Sequence, residues 1–468
     1  MVRKAGQVLL ILSLLVGGLL FGIIYANNIF PQKLRFILLA ILIIYHLILF
    51  LLAKSKTTYL NGLALGLGLL GLIINSFASF YIYQAVGVID KISEEREENE
   101  FSLVVKKEST YQSISDVIDE DIRTGLSQDE DNIIAYKDKL EEKDISLKLS
   151  DAKTYVNAGI ELMEGQSQVI LLNERYRSII KEQIPDFDEK TRVIDQIFAS
   201  KVREDIEKEP EENSSFNIYI SGIDTFGDIS RVSRSDVNLI LTINPQSKKM
   251  LITTVPRDSY VEIAGGGLGY KDKLTHAGIY GVESSVKTLE NLFDIDINYY
   301  YRVNFSTFMN LIDVLGGVDV TNDQAFTSGA YTFPQGEIHL DGRSALVFAR
   351  ERYNLERGDL DRGRNQEKVL KAILEKALSP AILFNYQSFL DIMMESTDTN
   401  MDKEKILELV NQQLEAGSSW QIDSTELRGS GQMGLPSFAM PNANLYMYVL
   451  DEKSLAETSK MIKSVMKE

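Results

Sequence analysis

Three long apolar runs with almost no charge fill the first ninety positions, roughly Val8 to Phe30, Phe36 to Ala53 and Tyr59 to Val88. Each is long enough to cross about 30 Å of hydrocarbon as a helix, so the pattern predicts a membrane domain over residues 1–90. Arg3 and Lys4 precede the first run and Lys54 and Lys56 follow the second, outweighing Lys33 and Arg35 between them. Positive charge stays on the cytoplasmic side, which puts the amino terminus inside. Three spans are an odd number, so everything beyond about Asp90 is expected outside. A cleaved signal peptide fits poorly, because two further spans follow the first. The expectation is a multi-pass cell-membrane protein with a large extracellular carboxyl-terminal region.

Beyond Asp90 the period changes. Short apolar runs such as Val169 to Leu172 alternate with helix-like patterns such as Ile133 to Leu140, predicting a small α/β accessory domain. The stretch EKEPEENSS from Glu207 to Ser215 is charged, carries a proline and lacks apolar anchors, so it reads as a linker. The accessory domain is accordingly assigned to 91–213 and a larger domain to 214–468.

In the larger domain, Ser215 to Ser221 alternates Phe216, Ile218 and Ile220 with polar neighbours, the pattern of a half-buried strand. Asp236 to Ile243 and Met250 to Val255 are two more strands, joined by the turn residues Asn244-Pro245-Gln246-Ser247. In such a hairpin the start of one strand lies beside the end of the next, which brings Asp236 to Arg257 and Asp258. If the first strand also pairs antiparallel, Asp224 and Arg234 share that rim. Asn304 to Leu315 fits a helix with Asn304 as its cap and Gly316-Gly317 as its stop. Phe305, Phe308, Met309, Ile312 and Leu315 share one side, which suits core packing or a slot for a lipid chain. Another helix is predicted from about Asn365 to Leu378, its amino terminus abutting Arg362 and Arg364 so that amides and guanidinium groups converge on one anion. Ser454 to Glu457 reads as a capping box for a last amphipathic helix.

Composition narrows the chemistry. Acids outnumber bases by 67 to 49, a formal charge of −18, which opposes general binding to a polyanion. With no helix-turn-helix and no basic stripe, nucleic acid is not an expected partner. The absence of cysteine excludes disulfides, thiolate nucleophiles and cysteine-based zinc sites. The three histidines, His46, His276 and His339, are too scattered for a histidine metal site, and His46 in the second span is read as packing on a neighbouring helix rather than relaying protons.

Against that acidic background, Ala349 to Gln366 reads ARERYNLERGDLDRGRNQ, with five arginines and no lysine. Guanidinium is planar, always charged and able to donate paired hydrogen bonds, so repeated arginine suits phosphate oxygens, a diphosphate above all. By itself the run fits equally well a solvated loop in which Glu351, Glu356, Asp359 and Asp361 neutralise the arginines. Asp224 and Asp236 add the hard oxygens expected of a magnesium ion bound together with phosphates, or each simply pairs with an arginine nearby. Carboxylates, arginines and a metal suffice for phosphoryl transfer, which is mostly positioning and charge neutralisation.

The ordered motifs Ser221-Gly222-Ile223-Asp224, Arg234-Ser235-Asp236, Val255-Pro256-Arg257-Asp258, KLTHAGIYG from Lys273, Ala349-Arg350-Glu351-Arg352 and Asp361-Arg362-Gly363-Arg364-Asn365-Gln366 resemble the LytR-CpsA-Psr family over about 216–380. The three spans and accessory domain are similar to its streptococcal capsule-locus members. The resemblance implies an α/β/α sandwich enclosing a hydrophobic pocket for a prenyl tail. It implies an enzyme that moves a glycan, here a capsular polysaccharide with wall teichoic acid or a group carbohydrate as the alternatives, from a polyprenyl-diphosphate carrier to peptidoglycan as a phosphodiester. Carried over by position, it implies Asp224 and Asp236 as ligands of magnesium, with manganese as the alternative. Arg234, Arg257, Arg350, Arg352, Arg362 and Gln366 become diphosphate-binding residues, and Asp236, Arg257 and Arg362 the catalytic ones. Asp359 falls in the same loop. The expected partners are the lipid-linked glycan, peptidoglycan, the membrane and capsule assembly proteins. The segment KLTHA departs from the commoner family pattern of KIN followed by a small or aromatic residue, so His276 is not read as catalytic. Two other functions remain open: a membrane regulator of capsule or wall genes, and a hydrolase acting on the same diphosphate.

Overall fold

The computed structural model describes residues 2–26, 32–87, 96–202, 210–211, 214–223, 234–379, 382–402, 405–406, 408–409, 412–413, 419–441 and 443–467. Three helices open the chain, α1 (Val2–Ala26), α2 (Gln32–Lys54) and α3 (Thr58–Gly87), each containing a stretch long and apolar enough to cross a membrane. Residues 27–30 and Val88, at the ends of the predicted spans, lie outside the described residues. The helices pack on one another, with polar contacts between them. His46 meets Ser13 Oγ of α1 through Nε2 at 3.3 Å and its own Leu42 carbonyl through Nδ1 at 2.8 Å, the helix contact its position predicts. Tyr45 Oη donates to the Leu67 carbonyl of α3 at 2.7 Å.

The accessory region is one sheet with helices: β1 (Arg96–Lys106), β2 (Asp121–Thr124), α4 (Glu130–Glu141), β3 (Lys148–Asp151), α5 (Tyr155–Glu164), β4 (Val169–Asn173), α6 (Arg177–Gln183) and β5 (Thr191–Val202). The strand order is β3-β2-β4-β1-β5. β4, the continuous apolar run, is buried along its whole length. Its core of Phe101, Val104, Ile133, Tyr136, Leu162, Ile170 and Ile179 also takes in Ile279, Ala439 and Met440 from far downstream. The accessory sheet is therefore docked on the larger domain through a shared hydrophobic core. Gln128 Nε2 donates to Tyr280 Oη at 3.2 Å and Arg175 Nη1 to the Ile279 carbonyl at 3.2 Å, fixing the same contact with hydrogen bonds.

Among the described residues the larger domain centres on a six-stranded sheet, β6 (Phe216–Ile223), β7 (Ser235–Asn244), β8 (Lys249–Thr254), β9 (Tyr299–Val303), β10 (Asp398–Thr399) and β11 (Gln421–Glu426), in the order β10-β9-β6-β7-β8-β11. β7 pairs antiparallel with β8, as the turn residues predict, and β6 pairs antiparallel with β7, which meets the condition that puts Arg234 on the same rim. Helices cover both faces. Tyr219, Ile240 and Leu251 pack with Val286 and Leu289 of α7 (Val282–Phe293) and with Ile462 of α12 (Glu452–Lys467). On the other side lie α8 (Phe305–Val314), α9 (Gly342–Arg350), α10 (Asp359–Ala377) and α11 (Ile382–Glu395), with α10 lying against β7 and β8.

That double cover corrects the reading of β6, which is buried along nearly its whole length instead of on one face. Its polar residues are buried because they are satisfied internally: Asn217 Nδ2 donates to the Asp296 carbonyl at 2.8 Å, and Ser221 Oγ lies 2.8 Å from Ser235 Oγ. α8 follows the expected plan, with the Asn304 side chain accepting from Thr307 N at 2.9 Å and Gly316 and Gly317 at positive φ beyond its end. Two boundaries move. α10 begins at Asp359, not Asn365, because Gly358 occupies the cap position and Asp359 and Asp361 complement the first turn. Arg362 and Arg364 thus project from inside the helix rather than preceding it. The last helix is capped by Asp451, whose carboxylate accepts from Ser454 N at 2.7 Å. Ser454 sits inside, its hydroxyl accepting instead from Arg428 N at 3.0 Å.

Candidate active site

The hairpin of β7 and β8 delivers its predicted contact: Arg257 Nη1 lies 2.6 Å from Asp236 Oδ1. Thr275 N donates to the Arg257 carbonyl at 2.9 Å and its hydroxyl lies 3.4 Å from Asp236 Oδ1, so the KLTHA segment backs the pair. Asp258 is held by Lys273 Nζ at 2.9 Å, with Arg257 Nε at 3.7 Å. Across from them α10 presents Asp359 and Arg362, whose Nη2 and Oδ1 atoms are 2.5 Å apart. Asp236, Arg257, Asp359, Arg362, Gln366 and Glu426 line one cleft at this end of the sheet.

Charge explains why such a cluster is unusual. Burial pulls the Arg362 pKa below its ordinary value, and the neighbouring charges of Arg257 and Arg352 act in the same direction, only partly offset by Asp359 and Asp236. Burial opposes Arg257 too, but Asp236, Asp258, Asp359 and Glu182 outweigh it and hold its pKa up. Asp359 is pushed up, chiefly by burial, with the field of Asp258 adding to it. Its Oδ1 is buried and accepts no well-directed hydrogen bond despite the ion pair. Like-charged guanidinium groups held together out of water are a costly arrangement for stability alone, and they match the demands of an anionic ligand.

The remaining predicted residues are distributed as follows. Arg352 lies close enough for its charge to act on Asp359 and Arg362, and its guanidinium covers the Tyr353 ring at 4.6 Å. Arg350 is exposed and lies over the Phe305 ring of α8 at 4.1 Å. Gln366 Nε2 donates to the Ala349 carbonyl at 3.2 Å, tying α10 to α9. α9 in turn approaches α8 so closely that a Cβ on Gly342 would sit 2.3 Å from the Met309 carbonyl oxygen. Arg234 stands at the rim, paired with Glu182 of the accessory domain. Asp224 lies outside the described residues. His276 is buried with Nδ1 2.8 Å from Asp272.

The simple neutralisation pattern holds only for part of the arginine run. Arg357 pairs with Asp361 at 2.8 Å and Arg364 with Glu426, whereas Glu351 accepts from the backbone amides of Arg352, Tyr353 and Asn354 at 2.9, 2.7 and 3.0 Å. Glu351 therefore shapes the loop that carries Arg352. Glu426 and Glu182 escaped the sequence reading because one sits on an edge strand without motif neighbours and the other in a domain with no chemical motif. The lone signal for Asp359 was its place among the arginines.

The LytR_cpsA_psr family model matches residues 185–464, more than half of the chain and the whole of this cleft. The chain belongs to that family. Among its relatives, the polyisoprenyl-teichoic acid–peptidoglycan teichoic acid transferase TagU of Oceanobacillus iheyensis is 34% identical over 285 residues, 59% of this chain and 82% of the relative. TagU of Bacillus cereus strain AH820 is 38% identical over 194 residues, 41% of this chain and 63% of the relative. The crystal structure of B. subtilis TagV aligns with 29% identity and a TM-score of 0.48, covering 55% of this chain and 98% of that one. A DNA polymerase processivity factor model also matches, over 61–172. That stretch begins inside α3 and stops within β4, so it corresponds to no complete folded unit.

Proposed function

We propose that this LytR_cpsA_psr protein transfers a glycopolymer from a polyprenyl-diphosphate carrier to peptidoglycan on the outer face of the membrane. The observation that carries the reading is the buried cluster of Arg257 and Arg362 facing Asp236 and Asp359 in one cleft. The transferase names of the relatives support the reaction class. The capsular identity of the glycan rests on the three-span architecture alone. The outward orientation rests on the positive charges flanking the spans.

In this reading Arg257, Arg362 and Arg352 bind the diphosphate, with Arg234 at the rim and Arg350 towards the lipid. α8 supports a tail site, because Phe305, Phe308 and Met309 are only half-buried while Thr307, Leu311 and Ile312 face the core. Arg350 over Phe305 puts a cation where apolar surface meets the polar cleft. The acceptor hydroxyl oxygen attacks the glycan-linked phosphorus as the bond to the bridging oxygen breaks, and polyprenyl monophosphate leaves with that oxygen. Asp359, its pKa raised by burial, takes the hydroxyl proton. The arginines hold the charge that spreads over the transferred phosphoryl oxygens.

Asp236 lines the cleft with hard carboxylate oxygens of the kind magnesium takes, with manganese as the alternative. Acids already offset much of the positive charge around the cleft, so an arriving diphosphate brings negative charge that the side chains alone do not neutralise. A bound divalent ion would supply that neutralisation. Asp236 would hold it, together with Asp224 by family resemblance, which leaves Asp359 free to take the proton.

Full-length protein in liposomes with a labelled polyprenyl-diphosphate glycan tests the reading through release of lipid monophosphate. Release that requires both peptidoglycan and magnesium supports transfer. Release that proceeds equally without peptidoglycan makes the protein a hydrolase, and an intact lipid substrate removes the enzymatic reading.

A further inference from the structure

The accessory domain reaches the diphosphate site directly. Glu182, in the last turn of α6, pairs its Oε1 with Nη1 of Arg234, and its charge is also felt at Arg257. α6 has little freedom to move: Ile179 and Ile180 are fully buried in the accessory core, Arg177 pairs with Glu174 and Asp188, and Lys181 pairs with Asp188 at 2.6 Å. The accessory domain is itself locked to the larger one through Ile279, Tyr280, Ala439 and Met440. Glu182 is thus presented to the rim from a rigid support. It also lies ahead of the segment that the family model matches, which starts at residue 185.

We propose that Glu182 is a positioning residue for the transfer reaction, orienting Arg234 towards the substrate diphosphate and making the accessory domain part of the active site. This rests on the diphosphate reading of the cleft. A guanidinium is a planar fork with five N–H donors, and one carboxylate oxygen at Nη1 sets the plane in which the fork is presented. Arg234 immediately precedes β7, an interior strand, two residues from Asp236, so its direction decides whether it faces the phosphates or solvent. Half-exposed ion pairs contribute little to stability, so the effect belongs in ligand binding rather than in folding.

The test is calorimetric binding of farnesyl diphosphate to the full-length protein in detergent, with a double-substitution cycle. Glu182→Ala is expected to weaken binding about three- to fivefold without changing the melting temperature. Glu182→Gln, which keeps an acceptor oxygen, restores most of the affinity. Arg234→Ala weakens binding by itself, and adding Glu182→Ala to it costs no further affinity, since the glutamate then has no arginine to orient and removing its charge near Arg257 does not disfavour an anion. Unchanged or tighter binding in Glu182→Ala, or an additive loss in the double variant, overturns the proposal. Tighter binding would mean that the carboxylate competes with the ligand. If the wild type binds no diphosphate, the proposed function falls first and this role with it.

Discussion

Removing Arg362 separates what the cleft does for folding from what it does for chemistry. The residue is 8% exposed and its Nη2 sits 2.5 Å from Asp359 Oδ1. Breaking a fully buried pair by deleting one partner costs roughly 3–5 kcal/mol, because the other charge is left without compensation. The Asp359 side chain retains 27% exposure, so water recovers part of that loss and about 2 kcal/mol is expected for Arg362→Ala. In thermal unfolding of the full-length protein this is a fall on the order of 4 °C. Replacing both partners, Arg362→Met with Asp359→Leu, removes two buried charges together and is expected to return stability to within about 1 kcal/mol of wild type or above it. Transfer should behave differently: loss of one guanidinium from the phosphoryl site is expected to lower kcat/KM by about 10²–10³, and the stabilised double variant stays inactive. The reasoning is refuted if Arg362→Ala is as stable as wild type, if the double variant is less stable than the single, or if kcat/KM falls by less than about threefold.

Other groups give independent expectations. Burial lifts the pKa of Asp359, and a proton acceptor must be ionised, so kcat/KM should rise with pH through a limb lying above the ordinary aspartate range. A pH profile of Asp359→Asn that keeps this limb would remove Asp359 from the proton transfer. Burial pulls the Glu351 pKa up, but hydrogen bonds from Ser328 and the amides of Asn354 and Tyr353 outweigh it and bring it down to about 2. A carboxyl depressed in the folded state stabilises fully above its unfolded value near 4.5 and loses that contribution as pH falls towards 2. Glu351→Gln should therefore cost about 2 kcal/mol at neutral pH and flatten the acid decline seen by denaturant titration. A Cβ on Gly222 would meet Val237 at 2.6 and 2.8 Å, so Gly222→Ala should cost about 1–3 kcal/mol through displacement of β7 beside Asp236. Unchanged stability there would mean that the strands separate freely.

The parts of the molecule that follow local rules were legible in the chain. Three uncharged runs gave three helices, Asn244 to Ser247 gave the hairpin, and strand geometry alone put Arg257 against Asp236. Asn304 announced its helix because capping is a contact over three residues. What escaped depends on distant chain. The alternation of β6 looks half-exposed until helices from 282–293 and 359–377 cover both faces and Asn217 and Ser221 find internal partners. The start of α10 was hidden because GDLDRGR carries no apolar period, its helix being set by end charges and by Val369 and Ile373 further along. The docking of the accessory sheet uses Ile279, Ala439 and Met440, ordinary apolar residues until they are brought together. Glu182 is one acid among many until α6 places it on Arg234.

The central claim is that the cleft of Asp236, Arg257, Asp359 and Arg362 joins a glycan to peptidoglycan through one phosphate. It is tested most directly by the mass of muramidase-released peptidoglycan fragments after full-length wild-type or Asp236→Ala protein has acted on a defined polyprenyl-diphosphate glycan. The account predicts a fragment carrying the glycan through a single phosphodiester, formed by the wild type and lost in Asp236→Ala. Unmodified fragments beside free glycan phosphate, or a phosphodiester formed equally well by Asp236→Ala, would contradict it.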